Sequence, residues 1–204
     1  RPWILDGANV HVSMVAFDNG TETSRELDGA TVTTINANLT AIADLTRAKA
    51  LRENEGVCFL GIMKAGAFDI EEAEARNMLQ APNPHKRPNS DVLRRRYNAR
   101  DVMNRTGGGW LIDYGVNMDE ESAMLYEAPW KHVEKHVKPE RQKNRRARMA
   151  SRYWLHGEAR PGMRRAVSGL SRFIVTPETS KHRAFIWMDA VVLGDHKTRV
   201  IAYD

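Results

Sequence analysis

Apolar and polar positions alternate along this chain in short blocks, most of them too brief for long helices and well suited to strands. Val57 to Met63 (VCFLGIM) is an almost unbroken apolar run of strand length, which predicts a buried strand with Cys58 as a small interior residue. Ile70 to Leu79 (IEEAEARNML) opens on acids, places apolar residues at helical spacing and is stopped by Pro82. A proline-punctuated loop follows (Pro82, Pro84, Pro88), then the apolar pair Val92-Leu93, leading at once into Arg94-Arg95-Arg96-Tyr97. Asn98 to Arg105 is a polar connector, and Trp110 to Ile112 an aromatic and aliphatic run that reads as a core strand. Asn117 with Glu120 forms a capping-box pattern before a helix over DEESAMLYE, which Pro129 is expected to break. Further on, Met163, Val167 and Leu170 make a helical stripe with Arg164, Arg165 and Ser168 on the opposite side. Ser171 to Val175 and Arg183 to Met188 read as two strands joined by a short polar loop, with Phe185 and Trp187 on one face, and Arg199 to Tyr203 as a last strand. Upstream, Val10 to Phe17 and Thr31 to Ile35 have strand character around the turn signal Asp18-Asn19-Gly20, and Asp44 to Asn54 predicts a short helix capped by Asp44. The sum is an α+β chain, mixed sheets with short covering helices.

Composition changes this picture through charge. The net charge of +5 hides a strong asymmetry. Residues 1–130 hold 14 Lys and Arg against 19 Asp and Glu, a balance of −5; residues 131–172 hold 13 against 3, or +10; residues 173–204 hold four of each. Cations gathered into one segment are the electrostatic footprint of a nucleic-acid binder. That segment is not a clean amphipathic helix, which argues against a membrane-surface role. The 204 residues contain no apolar run of membrane-spanning length, and the start, RPWILDGANV, lacks a signal-peptide pattern. With the single cysteine Cys58 there is no internal disulfide and no CxxC metal site, and the expected compartment is the cytoplasm.

Three stretches offer chemistry. A strand that delivers Arg94, Arg95 and Arg96 to one edge, with Arg100 just beyond, could hold a phosphate backbone; a solvated basic turn has the same composition. Arg141, Lys143, Arg145, Arg146, Arg148 and Arg152 are too dense to pair internally with only Glu140 nearby. They fit a phosphate-tracking helix closed by an aromatic anchor at Tyr153-Trp154, or a solvated helix whose Trp154 is core; the segregated charge favours the first. Ser180, Lys181, His182 and Arg183 end the loop between two predicted strands, where cations can enter a major groove and reach guanine O6 and N7, or touch phosphate alone. His132 and His136 are four apart, but Glu134 is misplaced for a zinc-protease helix and the surroundings are cationic, so two surface histidines are expected and no metal site.

The wording of the chain adds to its composition. PNSDVLRRRYNARDV, WLIDYG, YEAPW and LSRFIVTPETSKHRAFIW resemble the MmeI-like single-chain restriction-modification enzymes, over most of the chain from about Trp3 to Ala202. In that family one polypeptide carries an adenine-N6 DNA methyltransferase domain followed by a target recognition domain. The resemblance implies that residues 1–56 are the last strands of the methyltransferase domain and a connector, and that 57–204 belong to the target recognition domain, continuing beyond Asp204. The Asn-Pro-Pro-aromatic motif that stacks on a flipped adenine is absent, Asn83-Pro84-His85 being the nearest string. The glycine run Gly107-Gly108-Gly109 precedes a strand, where a cofactor-binding turn would follow one. No catalytic, cofactor or metal residue is therefore expected here, and S-adenosylmethionine would belong to the parent protein's catalytic domain.

The expected function is sequence-specific recognition of double-stranded DNA for an adenine-N6 methyltransferase, with or without an endonuclease, held N-terminally in the same polypeptide. Two other classes remain open: a nucleic-acid module without sequence preference, recognised by a specificity ratio near unity, and a basic protein-interaction domain, which short duplex DNA would not compete for.

Overall fold

The computed structural model describes residues 2–5, 8–44, 46 and 48–203. The chain divides into two compact units, Arg1–Leu51 and Arg52–Asp204.

The first unit is two small antiparallel hairpins. Strand β1 (Pro2–Leu5) pairs with β2 (Ala8–His11), and β3 (Arg25–Leu27) with β4 (Ala30–Val32). Asp28 and Gly29 join β3 to β4 with φ of 53° and 82°, the mirror-image turn whose twist matches a hairpin. The expected strand from Val10 to Phe17 stops at His11, and that from Thr31 to Ile35 stops at Val32. The expected helix over 44–54 is reduced to a 3-10 turn at Arg52–Asn54. Asp44 accepts from the Thr46 amide at 3.0 Å. Leu45 and Arg47 lie outside the described residues. Ala48 and Leu51 are exposed, so these two positions of the expected apolar stripe give a helix no packing to hold it. None of the described side chains between Val12 and Leu51 is buried; Phe17 is 94% and Ile42 100% exposed.

The second unit has two four-stranded sheets and a helical layer. One sheet has the order β10-β9-β12-β5 and is wholly antiparallel: β5 Cys58–Leu60, β9 Arg172–Pro177, β10 Ile186–Asp189, β12 Thr198–Ile201. The other is mixed, order β11-β7-β8-β6: β6 Asp69–Ile70, β7 Leu93–Tyr97, β8 Gly109–Ile112 and the parallel edge β11 Leu193–Gly194. Adjacent residues of β8 point to opposite faces, as the strand period requires. Ile112, facing Leu93 in the register, joins a core with Phe68, Tyr114, Trp130, Val133, Val137 and Trp154; Leu111 joins a second core with Phe173, Val175, Met188 and Val200. The mixed sheet thus lies between a helical layer and the antiparallel sheet. Close approach of the two sheets depends on Gly61, where an added Cβ would lie 2.1 Å from the Asp195 carbonyl oxygen.

The helices are α1 (Glu72–Gln80), α2 (Ala99–Asn104), α3 (Glu120–Met124), α4 (Glu127–His132), α5 (Lys138–Gln142), α6 (Ala147–Ser151) and α7 (Pro161–Val167). Asp119, and not Asn117, caps α3, accepting from the Ser122 amide at 2.7 Å. Pro129 sits in the first turn of α4, where its missing N–H costs nothing, so it helps to start a helix instead of breaking one. Between α4 and α5 the chain forms one π-helical turn, Val133–Val137, and the Lys138 amide donates to the Val133 carbonyl. Pro139 follows and cannot donate, which is where a wider turn costs least. Helices with mixed parallel and antiparallel sheets make the chain α+β, as the pattern of short blocks predicted. Cys58 differs from expectation: it lies on the outer face of β5 and is exposed, while Phe59 turns inward to the second core. No helix among the described residues is long and apolar enough to cross a membrane.

Candidate nucleic-acid interface

Three groups of cations were singled out by sequence, and the fold treats them differently. Arg94, Arg95 and Arg96 do not follow a strand; they are the middle of β7. Arg96 is largely interior, its side chain 14% exposed, with Asp69 at 3.0 Å, Asp195 at 3.7 Å and Asp101 at 3.8 Å. Arg95 lies 4.3 Å above the Trp110 ring and 2.9 Å from Glu72, whose carboxylate also accepts from Trp110 Nε1 at 2.8 Å. The Trp110 hydrogen bond, ahead of its cationic neighbours, holds the Glu72 carboxyl below its ordinary value. Arg94 is half-buried. Two of the three strand arginines are therefore committed to internal carboxylates.

The basic run after Arg141 is not one helix. Arg146 is extended (φ −85°, ψ 109°) and separates α5 from α6, making residues 143–146 a corner. Arg141 is 2% exposed, which removes it from any solvent-facing contact. Its Nη2 donates to the carbonyls of Lys64 (2.8 Å) and Leu155 (3.0 Å), and Nη1 to Met149 Sδ. Burial drives its pKa down, with Glu140 acting weakly the other way. Arg141 is a tie between α5, α6 and two loops. Lys143, Arg145, Arg146 and Arg148 are exposed, and Arg152 is half-buried. Tyr153 and Trp154 are core residues, not an anchor for a ligand: Tyr153 Oη donates to Glu120 at 2.8 Å and Trp154 Nε1 to the Met118 carbonyl at 2.9 Å. His132 is also interior, bonded through Nδ1 to Glu74 (2.8 Å) and through Nε2 to the Ala67 carbonyl (3.0 Å), whereas His136 is exposed.

The third group is the loop between β9 and β10. Lys181, His182 and Arg183 are exposed at its tip, and Ser180 Oγ donates to the His182 carbonyl at 2.6 Å, tightening it. Arg183 Nη1 donates to the Pro177 carbonyl, folding that side chain back over the strand end. Below the loop, Phe173 and Val175 hold β9 in the second core, and Met188 holds β10. Arg172 stacks 4.1 Å from the Trp187 ring on the outer face of the hairpin. The 143–148 corner belongs to the helical layer, on one side of the mixed sheet; the hairpin belongs to the other side. The second and third stretches singled out by sequence thus lie in different layers.

Interior electrostatics that sequence reasoning missed centre on Asp113. Both of its oxygens accept from Arg164, at 2.9 Å each, and His156 Nδ1 lies 3.6 Å away. Burial opposes its charge, but His156 and Arg164 more than offset this and lower its pKa below the ordinary 3.8. His156 is driven below 6.5 by burial, only partly opposed by Asp113; its Nε2 donates to the Ile112 carbonyl at 2.9 Å. The WLIDYG string contains Asp113, yet its partners lie 43 and 51 residues on, beyond any local pattern. Among the described residues no group of three or more His, Cys, Asp or Glu is placed to hold a metal ion.

No family model matches the chain, and no curated protein matches it. Six solved chains do match. One is the type IIL restriction-modification enzyme MmeI in complex with DNA, with a TM-score of 0.59 and 16% sequence identity over 84% of this chain. This chain spans 23% of that enzyme's length. The likeness is one of fold.

Proposed function

We propose that this chain belongs to the DNA-recognition region of a restriction-modification enzyme and grips duplex DNA on behalf of an adenine-N6 methyltransferase domain N-terminal to it in the same polypeptide. The observation that carries the reading is the pairing of an MmeI-like fold with exposed cations that have no carboxylate partner among the described residues. Lys143, Arg145, Arg146 and Arg148 on the corner, and Lys181, His182 and Arg183 on the hairpin, are the phosphate- and base-contacting candidates; Arg94, Arg100 and Arg152 are secondary. Arg141 and Arg96 are left out because their guanidinium groups are spent inside, and Arg95 because its guanidinium is taken by Glu72 and the Trp110 ring.

Residues 1–56 are read as the last strands of the methyltransferase domain and a connector. Two small hairpins with no buried side chain among the described residues of 12–51 support this, because such a unit needs a larger apolar neighbour to be stable. S-adenosylmethionine would be held by that neighbouring domain. Within the hairpin, Arg183 is the candidate base reader once it gives up its hydrogen bond to the Pro177 carbonyl; a bidentate contact needs a rigid carrier, and β9 and β10 supply one.

Fluorescence anisotropy with duplexes carrying every single-position substitution tests the reading, using the whole protein. Specific recognition gives affinities that differ between duplexes, and Arg183→Ala relaxes preference at one position by about 1–3 kcal/mol while leaving non-specific binding intact. Equal affinity for all sequences means a sequence-independent binder, and lack of competition by duplex DNA means a protein-interaction domain.

A further inference from the structure

The hairpin loop has a neighbour that local sequence does not reveal. Ser180 Oγ lies 3.7 Å from Met103 Sδ, which brings the tip of the β9–β10 loop to the C-terminal end of α2, 77 residues earlier. There the chain turns through Arg105, Thr106, Gly107 and Gly108 into β8. We infer that this turn is a second DNA-contacting element, which grips the same duplex beside the 179–183 loop, with Arg105 on a phosphate and Gly107 at the point of closest backbone approach. The inference rests on the DNA-recognition reading above and extends it to residues which that reading does not use.

Four observations support it. The turn is rigid, because Asp101 organises both ends of α2. Its carboxylate accepts from the Asn98 amide (2.9 Å) and from Thr106 Oγ1 (2.6 Å), and its carbonyl accepts from the Thr106 amide (3.2 Å). Arg105 closes the helix in the left-handed region, φ 54°, and is exposed. The acids in the vicinity are occupied elsewhere: Asp101 by the capping box and Glu178 by Arg199 at 2.9 Å. Arg100, Arg105, Lys181 and His182 are therefore left without a carboxylate partner among the described residues. Finally, Gly108 is wedged against the Arg96 carbonyl and the Tyr97 ring, whereas a Cβ on Gly107 meets nothing within 4 Å. The open glycine faces space that a ligand backbone could enter.

Two substitutions test this without disturbing the fold. Arg105→Asn removes the cation but tolerates the left-handed conformation. Gly107→Glu adds an anion where the structure has room and the backbone angle is ordinary. Each is compared with the whole wild-type protein by salt-dependent anisotropy on cognate and unrelated duplexes, with thermal melting as the check on folding. Losing one phosphate contact should flatten the slope of log K against log salt by about 0.9, which at 0.1 M salt is roughly eightfold in affinity. Arg105→Asn should show that loss equally on all sequences, and Gly107→Glu a loss at least as large that added salt relieves. Unchanged affinity in either folded variant, with wild-type binding intact, overturns the second element and leaves the hairpin reading standing. Absence of wild-type binding to any duplex overturns that reading, and this inference with it.

Discussion

Removing the guanidinium of Arg164 would leave Asp113 ionised inside the protein with the Gly115 amide and the His156 ring close by and no cation paired to it. An unpaired interior charge is among the costliest single defects, so Arg164→Met is expected to lower unfolding free energy by about 3–5 kcal/mol in urea titration. A loss below about 1 kcal/mol would show that the pair is screened by solvent and not structural. His156 should add a pH dependence. Its folded pKa lies below 6.5, so the unfolded chain binds the proton more readily; the stabilisation is complete above 6.5 and is lost as pH falls toward the folded value. Asp113 acts in the same direction lower down, its contribution being present above 3.8 and lost as pH falls through its depressed folded value. Melting temperature measured from pH 8 to pH 5 should therefore fall in the wild type and fall less in His156→Phe. Parallel curves would assign the acid sensitivity elsewhere.

At the scale of elements, the α5–α6 corner separates two roles that the basic run had merged. Arg145→Ala with Arg146→Ala should flatten the salt slope of DNA binding and leave melting unchanged, since both side chains are exposed. Arg141→Met should do the reverse, costing about 1–3 kcal/mol of stability as carbonyls lose their donor, with the slope intact. If both variants changed the slope equally, Arg141 would have to reach solvent.

Arg141 has no local mark that sets it apart: four neighbours of the same charge are exposed, and only the packing of Lys64 and Leu155, 77 and 14 residues away, distinguishes it. Arg95 and Arg96 are hidden from local pattern for the same reason, because Glu72 arrives from α1, Asp69 from β6 and Asp195 from the turn after β11. What depends on local pattern was readable. The 70–79 helix, the Trp110–Ile112 strand and the Ser171–Met188 hairpin all occur within a few residues of their expected limits. Cys58 was misplaced because an apolar run conceals its own period of two, and a shift of one residue exchanges inside for outside.

Considered whole, the molecule keeps every buried side chain among the described residues in the unit Arg52–Asp204. A fragment of residues 52–204 is expected to melt at the temperature of the full chain, and limited proteolysis should cut first within residues 12–51. A marked fall in melting temperature on removing residues 1–51 would reveal a stabilising role for them. Calorimetry with S-adenosylmethionine should show no complex at micromolar ligand, given the missing glycine-rich turn and adenine-stacking motif; a one-to-one complex would move the catalytic boundary into this chain.

The strand β8 supplies Leu111 to one core and Ile112 to the other. Inserting one residue between Gly109 and Leu111 would rotate both into the wrong environment at once, so drift in chain length is forbidden there. The tip of the β9–β10 loop carries no such obligation, because its anchors lie behind it at Phe173, Val175 and Met188. Residues can be gained, lost or exchanged between Glu178 and Phe185 while the scaffold stays as it is. Tolerance to change in this fold is thus concentrated at the hairpin tip, where length and residue type can vary without a folding penalty.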